Sequence, residues 1–466
     1  MNLIQQTRLV IETQTPMAIN SGLREVGFDS QLARDANGLP YIPGTSIAGV
    51  WRNLAERLLD KSVADLWFGS TERRSTLAIS DGVLLDSKQN LVKGLVSKAD
   101  INADELLKVL VLARPHHRDR VALNDRGVAS ETAKFDQILL PKGLRFCIDV
   151  RWQGEESQLT DWQALIALWQ TKLFALGADT RNGLGQIKII GCAEQSTDLT
   201  DVSTVHPANK IRDFYTQPLP SSHNLNEVDV APICAMTLQA ESYWRFGSGT
   251  QLLNAQQTDA DIISYSEPSV IWRNGQADWQ GNKPVLCGSA IKGIIAHRVA
   301  FHYNQLTERF AETIADENHD LWQSRPEALS QLFGQNEVID KTNGNVITEA
   351  VAGRLIVEDS PVEFNQEDIS VRYHNSIDRF TGGVRQGALY SEELIYQPKL
   401  QVNVWLLPGK AIDPQVIQAL ELALDDIAYG YVPLGAGAGR STSLMNPEPI
   451  NYNKSQLSRL SQEVGL

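Results

Sequence analysis

A nine-residue segment of this sequence occurs twice, and the repetition restricts the possible folds more than any other feature. Residues 41–49 read YIPGTSIAG and residues 285–293 read VLCGSAIKG, and an apolar run follows each. Gly288 lies 244 residues after Gly44. Because an overlooked repeat leads to the wrong fold, we take this match as the starting point.

Five further landmarks recur in the same order, at offsets between 227 and 278 residues. The pairs are Ser21-Gly22 with Ser248-Gly249, LWFG at 66–69 with QLFG at 331–334, Asp81 with Asp359, NDRG at 124–127 with IDRFTG at 377–382, and GLGQ at 183–186 with GAGR at 437–440. A collinear set of this kind is hard to reach by chance. It predicts a duplicated unit with loops of different length.

The pattern within each copy predicts the order β-α-β…β-α-β, with apolar alternation in the strands and apolar residues three or four apart in the helices. That order is typical of a ferredoxin-like (RRM-like) α+β domain, and 466 residues suit more than one domain. We expect a first repeat at 1–192, a polar linker at 193–230, a second repeat at 231–446 and a peripheral tail at 447–466.

The two glycine-led helix starts are candidate phosphate sites. Backbone N–H groups and hydroxyls meet the positive end of a helix there, and Thr45 or Ser46 is expected to cap the first helix. Nearby residues complete the candidate set: Arg52 in the first copy, and Ser289, Lys292 and Arg298 in the second. The plain alternative is an ordinary helix start, but its recurrence favours a functional role.

Composition excludes several classes of protein. A net charge of −14 excludes a uniformly basic nucleic-acid binder but allows a local basic groove. The four cysteines are scattered, which argues against a zinc site or a disulfide framework. No apolar stretch reaches membrane-spanning length, so we expect a cytoplasmic protein. Motifs of P-loop, dinucleotide, serine-hydrolase and HExxH metalloprotease sites are also absent.

The PGTSIAG helix start, DRG at 125–127, DRFTG at 378–382 and the two late glycine turns together resemble the RAMP superfamily of CRISPR-associated proteins. The likeness is greatest to the backbone subunits of type III effector complexes, here fused as two copies. It implies a β-hairpin thumb in each repeat. It also implies guide RNA, target RNA and other CRISPR effector subunits as partners, with no membrane involved.

The resemblance also implies roles for individual residues. The thumbs would lie near 124–129 and 376–383, and the family's RNA-cleaving aspartate corresponds to Asp29, which would act with a divalent metal, Mg²⁺. The implied RNA contacts beyond the helix starts are Arg126, Gly183, Gly185, Arg379, Gly437 and Gly439. His374, which precedes the second thumb region, is a further candidate RNA contact by its position. The resemblance leaves a role for His116 and His117 open.

The second repeat leaves its acid undecided. Seventeen extra residues precede Gly288, so the counterpart of Asp29 is Asp259, Asp261 or Glu267 according to how the loop is aligned. The second repeat therefore either cleaves or only binds RNA. Two other functions remain open for the whole chain: a scaffold whose acids are inert, and a ferredoxin-like enzyme acting on a small molecule.

Overall fold

The fold is mixed α/β, and its sheets are built from antiparallel strand pairs. The protein is described from a computed structural model covering residues 2–24, 29–123, 129–199, 207–226, 228, 230–253, 259–310, 326–335, 338–339 and 346–463. Two large apolar cores lie within these residues. Among them, no helix has the length and apolar character needed to cross a membrane.

The first repeat is built on a sheet of order β2-β6-β1-β7, with β3 also paired to β6. β1 begins at Asn2, and β6 and β7 pair with it along nearly all of its length. The strands of this repeat are β1 (Asn2–Thr13), β2 (Leu77–Ile79), β3 (Val83–Leu84), β4 (His116–Leu123), β5 (Ala129–Leu139), β6 (Arg145–Glu155) and β7 (Ile187–Asp198).

The main helices of the first repeat cover one face of this sheet. Trp51 and Trp162 are buried in the core, with ring centroids 5.8 Å apart. The helices are α1 (Gly44–Leu58), α2 (Lys61–Phe68), α3 (Lys98–Ala103), α4 (Leu107–Leu110) and α5 (Leu159–Ala167). A sixth helix, α6 (Pro207–Phe214), follows β7.

The second repeat has the matching arrangement. β8 lies between β18 and β19, and β14 pairs with the far side of β18. The strands of this repeat are β8 (Cys234–Gln239), β9 (Tyr243–Trp244), β10 (Ser266–Arg273), β11 (Gln276–Leu286), β12 (Val338–Ile339), β13 (Val346–Thr348), β14 (Leu355–Val357), β15 (Ser360–Glu363), β16 (Ile369–His374), β17 (Tyr390–Tyr396), β18 (Lys399–Leu406) and β19 (Asn451–Asn453).

The helices of the second repeat bury the apolar stripes predicted for them. Ile291 and Ile295 of the first long helix and Leu420 and Leu424 of the second are fully buried. The helices are α7 (Gly288–Leu306), α8 (Ser330–Phe333), α9 (Pro414–Ala428) and α10 (Ser455–Glu463).

Each repeat carries a β-hairpin in the region where the DRG motifs occur. In the first hairpin β4 pairs with β5, and in the second hairpin β16 pairs with β17. Residues 124–128, which connect β4 and β5 in the sequence, lie outside the described residues, and with them the predicted RNA contact Arg126.

The extra residues of the second repeat form a third hairpin, β10–β11, which we call the clasp. It lies against the first repeat: the N–H of Val270 donates to the carbonyl of Lys142, and that of Ala277 to the carbonyl of Ser87. The Trp272 indole N–H donates to the Gly143 carbonyl at 2.8 Å. The insertion therefore joins the two repeats.

Two expected boundaries differ from the observed elements. The linker was expected from residue 193, but β7 continues to Asp198 because β1 supplies pairing partners along that length. The tail was expected to be peripheral, but β19 pairs with β8 and Leu457 of α10 is fully buried. Tyr452 and Leu460 also pack against the core of the second repeat, so a few apolar residues hold a tail of mostly polar composition.

Candidate nucleic-acid interface

A cleft of about 1400 Å³ lies between the two repeats. One wall is the first hairpin and the turn at 177–182, both from the first repeat. The other wall comes from the second repeat and includes the first two turns of α7 and the residues that follow α8. The cleft is thus a product of how the repeats are joined.

Basic side chains outnumber acidic ones among the residues that line the cleft, although the chain as a whole is acidic. Its acidic lining residues are Asp119 and Asp179, and Asp179 is paired with Arg120 at 2.6 Å. Burial lowers the pKa of Arg181, whose Nε has no hydrogen-bond partner among the described residues. The basic side chains of the lining are Arg118, Arg120, Arg181 and Lys292, together with His116, His117 and His297. Such a lining favours a polyanion.

A buried ion cluster forms the base of the cleft. Arg118 of the first hairpin is 2 % exposed and contacts two carboxylates of the second repeat, Asp359 at 2.8 Å and Glu267 at 2.5 Å. Burial opposes the charge on Arg118, but Asp359 and Glu267 outweigh burial and raise the pKa of the guanidinium. In turn Arg118 outweighs the burial of Glu267 and lowers the pKa of that carboxyl to about 2.

The two glycine-led helices begin in the same way, but not as predicted. The residues before them, Pro43 and Cys287, have no side-chain oxygen, and neither Thr45 nor Ser46 caps α1. Instead the Gly44 N–H donates to Asp81 at 2.8 Å, and the Gly288 N–H donates to Asp359 at 2.7 Å. A carboxylate already occupies each helix start. A phosphate at the first N–H would therefore meet a negative charge.

Asp29 contacts the first hairpin through reciprocal hydrogen bonds. Its N–H donates to the Asp136 carboxylate at 2.9 Å, and the Asp136 N–H donates to the Asp29 carboxylate at 3.3 Å. Asp29 is exposed. It is thus an accessible acid fixed to the base of the hairpin.

Asp261 has the same relation to the second hairpin. Its N–H donates to the Ser391 hydroxyl at 3.1 Å, and the Ser391 N–H donates to the Asp261 carboxylate at 2.8 Å. Glu267 is buried against Arg118, and Asp259 is exposed with no described contact to the hairpin. Of the three candidates, Asp261 is therefore the geometric counterpart of Asp29.

The comparison with protein families accounts for most of the sequence. The family model of the RAMP superfamily matches residues 10–188 and again 237–443, which together exceed half of the chain. The chain belongs to the RAMP superfamily. The match falls once on each repeat of this RAMP protein, which confirms the predicted membership. No curated protein matches the chain.

One solved structure similar to this RAMP protein is a chain of the type III-B Cmr-β complex bound to cognate target RNA. The sequence identity is 17 % and the TM-score is 0.29. The match covers 41 % of this chain and 60 % of that chain, so it spans less than two thirds of the length of the solved protein.

The glycine turns of the two RAMP repeats correspond in a different register from the predicted one. Positive φ angles occur at Gly177, Asp179, Gly183 and Gly185, and 258 residues later at Gly435, Gly437, Ser441 and Ser443. The expected pairing of Gly183 and Gly185 with Gly437 and Gly439 was therefore wrong by four residues. Glycine spacing alone could not reveal that two serines adopt the left-handed conformation.

Gly183 has a packing role at the repeat junction. A Cβ at this position would lie 2.6 Å from the backbone nitrogen of Asp359, and φ is +94°. Gly439, in contrast, has open space around it. These two of the four predicted glycine contacts thus occupy different environments.

The predicted basic contacts also separate into two groups. Ser289 and Lys292 line the cleft, and Lys292 donates to the Arg181 carbonyl at 3.3 Å. Arg298 instead pairs with Asp426 of α9 at 2.5 Å, so its side chain links α7 to α9. Arg52 lies outside the cleft and pairs with Asp65 at 2.6 Å.

His374 and Arg379 both belong to the second hairpin region. His374 approaches the buried carboxylate of Glu392 at 3.3 Å, at the end of the strand pair next to the connecting loop. Arg379 is exposed in the loop that follows β16. Asp378 organises this loop by accepting the N–H groups of Phe380 and Thr381, which lowers the pKa of its carboxyl.

Sequence reasoning missed Phe380. This side chain is 99 % exposed in the loop between β16 and β17. An aromatic ring held fully in water at a hairpin tip is available to stack on a base. The DRFTG motif contains this aromatic residue directly after the predicted contact Arg379.

Proposed function

We propose that this RAMP protein is a backbone-type subunit of a type III CRISPR ribonucleoprotein that binds guide RNA and cleaves complementary target RNA. Each repeat would be a ferredoxin-like domain, since its sheet has the strand order expected for one, and each hairpin would be a thumb. The observation that carries the proposal is the repeated contact of Asp29 and Asp261 with the hairpin of their own repeat, of which the first also lines the cleft.

The residues of the first repeat suit a Mg²⁺ ion better than those of the second. Asp29 and Asp136 provide two carboxylates, whereas Ser391 takes the place of Asp136 beside Asp261. Mg²⁺ is often bound by one or two carboxylates together with substrate phosphates. Asp29 and Asp136 would hold the ion, which supplies charge neutralisation at the phosphate.

Side chains of the protein would transfer the proton and position the RNA. Asp29 takes the proton of a 2′-hydroxyl as that oxygen attacks the adjacent phosphorus, and the bond to the 5′ oxygen breaks. Phe380 in the second repeat stacks on bases and separates the strands there, which exposes the phosphodiester in line with its attacking oxygen.

Replacing Asp29 by alanine tests the catalytic proposal. In a reconstituted ribonucleoprotein, Asp29→Ala should lose one cut in the target RNA and keep RNA binding, because the exposed side chain holds no core contact. Mapping the 5′ ends of the products measures this. Asp259→Ala is the matched control and should keep every cut. Persistence of every cut in Asp29→Ala would remove the assignment.

A non-catalytic scaffold of the same kind of complex is the second candidate. It is favoured by one observation: among the described residues, no three His, Cys, Asp or Glu side chains come together that could hold a metal ion by themselves. A scaffold would give no break opposite this subunit, even with the unchanged protein and added Mg²⁺.

A further inference from the structure

A second concavity, of about 620 Å³, lies on the first repeat between α1, α2 and the loop after α2. Its acidic lining residue, Asp65, is paired with Arg52 at 2.6 Å. Lys61, Arg73 and Arg74 also line it, and all three are exposed. We call this surface the basic concavity. Its charge is unexpected in a chain of net charge −14.

The basic concavity is the first repeat's counterpart of one wall of the inter-repeat cleft. Gly69 ends α2 with φ +86°, and Gly334 ends α8 with φ +86°. Gly69 lines the basic concavity, and Gly334 lines the cleft. The same structural position thus faces a groove in both repeats.

The two grooves obtain their basic side chains from different places. In the cleft, Arg118, Arg120 and Arg181 come from the opposite wall, which the first repeat provides. No opposite wall faces the basic concavity among the described residues, and the concavity carries cations of its own. At the helical position of Arg52 the second repeat has Ala296, as counted from Gly44 and Gly288.

The surface beside the basic concavity does not suit a second RAMP unit. Ile356 and Trp405, which face each other across β14 and β18, belong to the core of the first repeat, so the junction covers them. Their counterparts across β2 and β6 are Ala78 and Arg151, and both are exposed. A unit docked as at the junction would find a small residue and a charge there. Charge complementarity instead favours a polyanion.

We propose that the basic concavity binds RNA phosphates without a neighbouring RAMP unit, as a second contact for the strand in the inter-repeat cleft. The inference rests on the proposed RNA binding. It adds that the first repeat is the terminal RAMP unit at its end of the assembly. Lys61, Arg73 and Arg74 are the phosphate contacts, and Arg52 keeps the local charge positive by neutralising Asp65.

The salt dependence of RNA binding tests this proposal. The full chain is titrated into a labelled, unstructured 30-mer RNA at several KCl concentrations, with anisotropy as the readout. For Arg73→Gln/Arg74→Gln, loss of two phosphate contacts should lower the slope of log K against log salt by about 1.4, with affinity roughly 10- to 30-fold weaker near 0.1 M salt. Lys98→Gln/Lys210→Gln removes two exposed charges from α3 and α6 as the control and should leave the slope unchanged.

The possible results separate this inference from the proposed function. Binding by the unchanged chain with an equal slope for the double variant would overturn the inference alone. No RNA binding by the unchanged chain would overturn the proposed function and the inference with it. If the double variant keeps its slope but loses a partner RAMP chain in a reconstituted complex, the concavity is a protein interface and the inference is wrong.

Discussion

Arg118 holds a positive charge at the repeat junction because two carboxylates of the other repeat meet it. Removing one partner from a buried ion pair typically costs about 3–5 kcal/mol, since the remaining charge is left without compensation. The cluster therefore fixes the first hairpin to the second repeat. The wall of the cleft depends on that attachment.

The depressed pKa of Glu267 predicts how acid destabilises the protein. The folded-state pKa is about 2, against an ordinary value of 4.5. The stability that ionised Glu267 contributes is present above the ordinary value and is lost as pH falls through the folded value. Melting temperature measured between about pH 5 and pH 2 should thus fall less steeply for Glu267→Gln than for the unchanged chain.

An exposed acid provides the control for that measurement. Glu156 is exposed in the segment before α5, and Glu156→Gln should keep the acid slope of the unchanged chain. Equal slopes for the unchanged chain and Glu267→Gln would show that the Arg118 cluster contributes nothing in this range.

At the scale of elements, α1 and α7 begin with the same contact in different surroundings. Asp81 accepts the first N–H of α1 and is exposed, whereas the Asp359 side chain is 6 % exposed and also binds Arg118. A charge near a helix start contributes about 0.3–1 kcal/mol when exposed. The second helix start therefore depends on the junction, and the first does not.

Replacing each aspartate by asparagine compares the two helix starts directly. Asparagine keeps an oxygen for the glycine N–H but loses the charge. We expect Asp81→Asn to lower the free energy of unfolding by about 0.3–1 kcal/mol. Asp359→Asn should cost several times more, because Arg118 loses one of its two carboxylates. Urea unfolding at pH 7 measures both, and equal costs would contradict this account of the cluster.

The sequence predicted the elements better than it predicted the contacts between them. Apolar stripes located α7 and α9, and the recurring landmarks located the hairpins. The sequence could not identify the counterpart of Asp29, because the clasp lengthens the loop and makes its alignment with the first repeat ambiguous. The contact of Asp261 with Ser391 in the structure identifies it. The glycine turns of the two repeats could not be aligned correctly from the sequence. Ser441 and Ser443 adopt the left-handed backbone conformation at positions where the first repeat has glycines, and serine does not indicate that conformation.

At the scale of the whole molecule, the repeats share an apolar core as well as charges. Val270 and Ala277 of the clasp, together with Ile356 and Trp405, belong to the core of the first repeat. Burial of this kind links the unfolding of one repeat to that of the other. We therefore expect the unchanged chain to unfold by heat in one cooperative transition.

Gly183 tests whether this union of the repeats depends on close backbone approach. Gly183→Ala would place a Cβ 2.6 Å from the Asp359 nitrogen, at a φ of +94° that side chains disfavour. The strain should separate the repeats and split the calorimetric transition into two, with a cost of about 1–3 kcal/mol. Gly439→Ala is the matched control, because nothing lies within 4 Å of its added Cβ. If Gly183→Ala unfolds in a single transition at the unchanged temperature, the junction tolerates the added Cβ. The cleft then does not require close approach of the backbones at Gly183 and Asp359.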